Sequence, residues 1–151
     1  MSAFEIVRRA QISADPARVH DLVNDFRHWR EWSPWEDLDP DLNREYDGPD
    51  SGVGATYRWS GNRKAGAGSM EITESSPERV AIRVNFLKPF RSENRVTFDI
   101  VPAAEGADVS WAMAGEQKGL VGVVAKVFSM EKYIAKDFDK GLGRLKSLAE
   151  A

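Results

Sequence analysis

The chain is expected to fold as one α+β domain. It should have a curved antiparallel sheet of about seven strands, two short helices after the first strand, and a long C-terminal helix packed across the sheet. Three observations predict this. Apolar residues at Val124, Val127, Phe128, Ile134, Phe138, Leu142, Leu145 and Leu148 recur close to a 3.6-residue period, so residues 120–148 read as one amphipathic helix. Five successive segments before it alternate with a period of two and are separated by turn residues. No linker, repeat or low-complexity stretch divides the 151 residues. A helix of that length spans about 40 Å at 1.5 Å per residue. That is more than one short strand covers, so its stripe must lie across a whole sheet. A sheet curled around a long helix can leave a space between them, and function turns on what fills it.

The elements follow in order. Phe4–Ile12 alternates loosely, with Phe4, Ile6, Arg8 and Ala10 on one side, as a first strand. Asp15-Pro16 supplies a capping residue and a first-turn proline for a helix with the apolar face Val19, Leu22, Val23 and Phe26. A second short helix runs through His28–Trp32 and is expected to end before Pro34. From Leu42 the period becomes two. Val53, Ala55, Tyr57 and Trp59 alternate up to the Gly61-Asn62 turn, and Gly68, Met70 and Ile72 up to Ser76-Pro77. Val80, Ile82, Val84 and Phe86 lead to Lys88-Pro89, Val96, Phe98 and Ile100 to the turn at 102–106, and Ala107, Val109, Trp111 and Met113 to the long helix. Short turns between consecutive strands make an antiparallel meander.

Composition bounds the function. At 42% hydrophobic and 30% charged residues the balance is that of a globular domain with its own core. A net charge of −3 gives no electrostatic case for nucleic acid. The absence of cysteine excludes disulfides, thiol catalysis and thiolate metal sites. Residues 1–10 carry Glu5, Arg8 and Arg9 and form no signal-peptide core, and the apolar run 119–125 stops at Lys126, too short for a membrane span. A cytoplasmic location is the expectation.

The order of elements, the Asp15-Pro16 helix start and several segments carry a family resemblance. The segments are Phe26–Trp35 (FRHWREWSPW), Gly52-Val53-Gly54-Ala55, Phe86-Leu87-Lys88-Pro89-Phe90 and Asp137–Lys146 (DFDKGLGRLK). Across essentially its whole length the chain resembles the helix-grip fold of the START and Bet v 1-like (SRPBCC) superfamily, and within it the polyketide cyclase/dehydrase-like group. That superfamily contains aromatic cyclases, lipid carriers and hormone receptors, so the resemblance implies a ligand cavity between sheet and helix and leaves the ligand open. It implies cyclase or dehydratase chemistry as one option, and binding or transport as another.

Residues expected to line the cavity are Trp32, Trp35, Tyr57, Trp59, Met70, Phe86, Phe98, Trp111, Met113, Ile134 and Phe138, where large aromatic and thioether side chains share one strand face or the helix stripe. The alternative for Trp59 and Trp111, and more so for Trp29, is plain core packing. Were the chain an enzyme, Glu131 on the helix stripe would be the acid–base group, with Tyr57 and Asn94 as hydrogen-bond donors to a developing enolate. The plainer reading of Glu131 is a surface carboxylate. His20 and His28 form no nucleophile motif and read as surface residues. Asp37, Asp39 and Asp41 imitate an EF-hand opening, but Leu42 and Gly48 stand where glycine and glutamate are required, so the segment reads as a solvated acidic turn. Gly52, Gly54, Gly66 and Gly68 precede no helix and suit strand bends rather than a dinucleotide fingerprint. Lys132, Lys136, Lys140 and Arg144 recur every four residues and read as a solvated face, with an anionic membrane or acidic partner as the alternative. No cofactor or metal is expected. Binding of a hydrophobic or amphipathic small molecule, as carrier or sensor, ranks first. A cyclase or dehydratase ranks second, and a protein-partner module third.

Overall fold

The computed structural model describes the backbone of residues 2–88, 91–117 and 121–151, and the side chains of 5–88, 91–115 and 132–151. Strand β1 (Ser2–Ile12) leads into helix α1 (Pro16–Asn24), whose first turn is capped as expected by the Asp15 carboxylate accepting from the Ala17 N–H at 2.9 Å. Two 3₁₀ turns follow, the Trp29 turn (Phe26–Glu31) and the Trp35 turn (Pro34–Asp37). Six strands come next: β2 (Asn43–Asp47), β3 (Thr56–Ser60), β4 (Ala67–Ser76), β5 (Arg79–Lys88), β6 (Ser92–Ala103) and β7 (Gly106–Gln117). Helix α2 (Val121–Glu150) closes the chain. All pairings are antiparallel, in the order β1-β7-β6-β5-β4-β3-β2. The expected α+β architecture, a curved meander gripping one long helix, is the observed one.

Three local expectations are corrected. Pro34 does not merely end a helix. Its fixed φ opens the Trp35 turn, so the connector bends twice and its tryptophans face inward. The segment from Val53 is no strand until Thr56: Gly52 and Gly54 hold positive φ (77° and 96°), a region glycine enters without strain, and Val53 is left 60% exposed. The acidic segment is not simply solvated. Asp39 accepts from the backbone N–H of Asp41 and of Asn62, tying the connector to the β3–β4 turn, and Asp37 pairs with Arg144 of α2. Arg144 therefore leaves the solvated stripe, while Lys132, Lys136 and Lys140 are exposed. Val124, Val127, Phe128, Glu131 and Pro89 lie outside the residues whose side chains are described.

The core is one continuous cluster. Ile12, Val19, Ile72, Ile82, Ile100, Phe138, Leu142 and Leu145 are at most 1% exposed, so the helical period of residues 134–148 and the strand alternation meet on one surface. The sheet bends at β4–β5, where the register shifts beside Gly68 and again after Ile72. Gly141 lets α2 sit down on the sheet. A Cβ there would lie 2.7 Å from Cζ3 of Trp111 and 3.2 Å from Cδ of Pro34, whereas one on Gly143, two residues along, would meet nothing within 4 Å.

That contrast separates packing from helix propensity. Gly143→Ala is expected to raise stability by about 0.5–1 kcal/mol. Gly141→Ala gains the same propensity but overpacks the Trp111 contact, at about 1–3 kcal/mol. Chemical denaturation should place Gly141→Ala below Gly143→Ala by about 2 kcal/mol. Equal stabilities would show that the helix is not pressed onto Trp111.

Candidate functional site

The inward face of the sheet is filled at one end and thins toward the other. Register places Ile100 beside Val109, Phe98 beside Trp111, Val96 beside Met113 and Asn94 beside Gly115. The step at Phe98 and Trp111 holds the bulk. Trp111 stacks on Phe98 (centroids 4.9 Å apart, 28° between planes) and on Phe138 of α2 (4.0 Å, 11°). Trp29, Trp32 and Trp35 meet it edge-on at 6.1, 5.4 and 5.8 Å. Trp29 and Trp32 donate their indole N–H groups to the Val23 and Leu22 carbonyls at the end of α1, which locks both rings in place. Trp32, Phe98, Trp111 and Phe138 are 0% exposed, and Met113, Tyr57 and Met70 between 1% and 4%. These seven of the eleven expected lining residues are packed against neighbouring side chains.

The other four, Trp35, Trp59, Phe86 and Ile134, are half-buried, and the three aromatic rings meet at Phe86. Trp35 meets Phe86 edge-on at 6.5 Å and lies 5.9 Å from Phe138, and Trp59 meets Phe86 edge-on at 5.8 Å. Trp59 can lie over β4 because position 68 is glycine: a Cβ there would be 2.5 Å from the indole. Its N–H donates to the Ala65 carbonyl. Trp35 donates to Oδ2 of Asp137, one turn along α2 from Ile134, at 3.2 Å.

The Trp35 turn is held by three consecutive side chains, two reaching α2 and one reaching the β2–β3 pair. Trp35 reaches Asp137 on α2. Glu36, 8% exposed, turns the opposite way and accepts from the Arg44 Nε of β2 at 3.0 Å and from the Tyr57 hydroxyl of β3 at 2.7 Å. Arg44 also donates to the Glu36 carbonyl oxygen at 3.1 Å. Asp37 pairs with Arg144 on α2. The Glu36–Arg44–Tyr57 cluster was not anticipated. Glu36 sat beside the acidic run, and the spacing from Arg44 and Tyr57 has no helical or strand period that would pair them.

The remaining expected polar groups take separate places. Tyr57 lies on β3 with its hydroxyl committed to Glu36. Asn94 lies on β6, three strand steps across the sheet with β4 and β5 between, and donates from Nδ2 to the Ser92 hydroxyl at 3.2 Å. At about 4.8 Å per strand the two are roughly 14 Å apart. The side chain of Glu131 lies outside the described residues. His20, half-buried rather than solvent-facing, has Nε2 3.3 Å from the Ser75 hydroxyl, which itself donates to Asn24. His28 is half-exposed beside Glu31. On the far side of the Trp29 turn, a shallow cleft of about 60 Å³ lies among Asp25, Arg27, Tyr46, Asp47, Asp50 and Thr56. Among the described residues no three His, Asp or Glu side chains gather as for a metal, and no helix is long and apolar enough to cross a membrane.

Burial, and then the hydrogen bond to Glu36, push the Tyr57 phenol well above the ordinary tyrosine range. The native state therefore keeps the proton that the unfolded chain loses near pH 10, so this group's stability contribution is whole below pH 10 and falls as pH rises beyond it. A spectrophotometric titration should show the same absorbance rise between pH 9 and 11 for wild type and Tyr57→Phe. A smaller rise in the variant would mean that Tyr57 ionises normally. Arg44→Met leaves the Glu36 carboxylate buried without its cation and should cost about 3–5 kcal/mol, against about 1.5–3 kcal/mol for Tyr57→Phe. Denaturant unfolding of both variants checks the order.

Comparison with known proteins agrees with this geometry. The solved structures it resembles include the CV1439 protein of Chromobacterium violaceum, with 19% identity, a TM-score of 0.67, and 97% of this chain and 98% of that one covered. The Aha1 protein of Colwellia psychrerythraea, solved as a dimer in solution, has 15% identity and a TM-score of 0.65, with 97% and 96% covered. Ara h 8.0201, a Bet v 1-like protein, has 14% identity and a TM-score of 0.63, with 97% and 99% covered. At these identities the likeness is one of fold. A search of curated protein sequences gives no match. The family model described as polyketide cyclase / dehydrase and lipid transport matches residues 3–150, and the chain belongs to that family.

Proposed function

We propose that this member of the family binds a hydrophobic or amphipathic small molecule between the sheet and α2, as a carrier or sensor. The observation that carries the reading is the uneven burial of one apolar surface. Trp32, Phe98, Trp111 and Phe138 are sealed at 0% exposure, while Trp35, which bridges Trp111 to Phe86, and Trp59, Phe86 and Ile134 stay half-buried. Large half-buried aromatics on a rigid sheet provide contact area for an apolar ligand at little ordering cost. The family's description fits a ligand-binding role of this kind.

Binding ranks above cyclase or dehydratase chemistry because the polar groups that chemistry needs do not converge among the described residues. Tyr57 spends its hydroxyl on Glu36, and Asn94 lies three strands away. The partner-module reading has less support still, since Arg144, one of the four cations it would use, is bonded to Asp37 within the molecule. A cytoplasmic location and the absence of nucleic acid as a partner remain part of the proposal.

The test is titration with an uncharged apolar fluorophore such as N-phenyl-1-naphthylamine. Wild type is expected to bind it with micromolar affinity under native conditions. Ile134→Trp, which adds bulk at the half-buried end, should weaken binding at least tenfold, about 1.4 kcal/mol, with the far-ultraviolet spectrum unchanged. Absence of binding, or equal binding by wild type and variant, would refute the reading.

A further inference from the structure

We propose that Asn94, oriented by Ser92, is the polar anchor of this ligand site and selects an amphipathic molecule whose inserted end carries an uncharged hydroxyl or carbonyl group. The inference rests on the binding reading above and adds to it the class of ligand.

Three described residues combine a polar or charged side chain with burial: Ser33, Glu36 and Asn94. Ser33 and Glu36 belong to the connector between α1 and β2, so Asn94 is the one on the inward face of the sheet. Its neighbours on that face are apolar. Val84 stands opposite on β5 and Val96 follows on β6, at 0% and 1% exposure. On β7 the opposite position is Gly115, which has no side chain. The next step along β7 is Met113 and the next along β5 is Phe86, one of the half-buried aromatics. Asn94 thus sits where the row of side chains has dwindled from Trp111 through Met113 to glycine, beside the apolar wall of the proposed site.

A carboxamide offers two N–H donors and an acceptor oxygen, and burying them costs free energy unless they are partnered. The Ser92 hydroxyl, two residues back on the same face, accepts from Nδ2 at 3.2 Å. That bond fixes the rotation of the carboxamide and leaves the Ser92 O–H able to donate. Positions 84 and 115 on the flanking strands provide no polar side chain to use the rest. A ligand hydroxyl, which can both donate and accept, or a ligand carbonyl, meets this pair.

The surroundings also select against charge. Inward-facing residues of β5, β6 and β7 within the described structure are uncharged, from Val80 to Phe86, Ser92 to Ile100 and Ala107 to Gly115. Arg8, in the β1 row, sits beside Trp111 and is held bidentately by Asp139 at 2.8 and 2.7 Å. Among these described inward-facing residues a carboxylate inserted at Asn94 would lose its hydration without gaining a cation, so a neutral polar group is preferred.

Equilibrium dialysis of wild type, Asn94→Leu and Ser92→Ala with naphthalene, 2-naphthol and 2-naphthoate tests this. Leucine keeps the shape of asparagine and removes its hydrogen bonds. Asn94→Leu should bind naphthalene at least as well as wild type and lower the ratio of naphthol to naphthalene affinity about fivefold, the worth of one hydrogen bond. Naphthoate should bind wild type more weakly than naphthol. An unchanged ratio, or naphthoate as the tightest of the three, would overturn the anchor. Should Asn94→Leu fail to fold, Ser92→Ala at its exposed position carries the test: a ratio at least twofold lower supports the anchor and an equal ratio refutes it. Failure of wild type to bind naphthalene at all would refute the binding reading, and the anchor with it.

Discussion

Every layer of this molecule meets at one indole. Trp111 of β7 touches Phe98 on the neighbouring strand, Phe138 on α2, Trp29 and Trp32 on the first 3₁₀ turn, and Trp35 on the second. Its N–H has no hydrogen-bond partner among the described residues, a cost of about 1–3 kcal/mol. Ring contacts of this kind contribute about 0.5–1.5 kcal/mol each beyond area burial, so two or three of the five offset it. Gly141 is the other half of the constraint, because a side chain there would lift α2 off the ring. With the helix pressed down at Trp111, whatever room the grip leaves must lie further along, toward Met113 and Gly115.

The connector shows how the half-buried rings are held in place. Trp35, Glu36 and Asp37 are consecutive, and a 3₁₀ turn sends successive side chains in different directions. One turn therefore reaches α2 twice and the β2–β3 pair once. The Glu36–Arg44 pair is largely shielded from water, with side chains 7% and 16% exposed. A pair in that setting does more to specify geometry than to raise stability. Here it fixes the backbone that presents Trp35, and the Trp35–Asp137 bond ties the same ring to the helix. The Trp35 turn and the helix are consequently bonded directly to each other.

The architecture was legible in the sequence because long-range order follows from two periodicities. The helical stripe from Ile134 to Leu148 and the alternation at 80–86, 96–100 and 107–113 each bury one face, and an antiparallel meander is the simplest way to join them. What alternation does not report is depth along a strand. Phe86, Phe98 and Trp111 all read as inward and apolar, yet Phe98 and Trp111 are sealed and Phe86 is not, because the difference lies in cross-strand partners and in Gly141 and Gly68. The Glu36 cluster was hidden for another reason. It joins a 3₁₀ turn to two strands, and tertiary contacts between aperiodic positions leave no spacing to read. Asn94 was visible as a polar residue on an apolar face, and its separation from Tyr57 became apparent only with the strand order.

The central claim is that ligand engages the half-buried aromatic end while the Trp111 end stays closed. The five tryptophan indole N–H groups give separate probes of this. Trp29 and Trp32 are bonded to carbonyls of α1, Trp35 to Asp137, and Trp59 to Ala65. In a ¹H–¹⁵N correlation spectrum titrated with 2-naphthol, the Trp35 and Trp59 indole signals should shift with a common saturation curve while those of Trp29 and Trp32 hold their positions. Shifts confined to Trp29 and Trp32, or five unmoved signals at saturating ligand, would contradict the account.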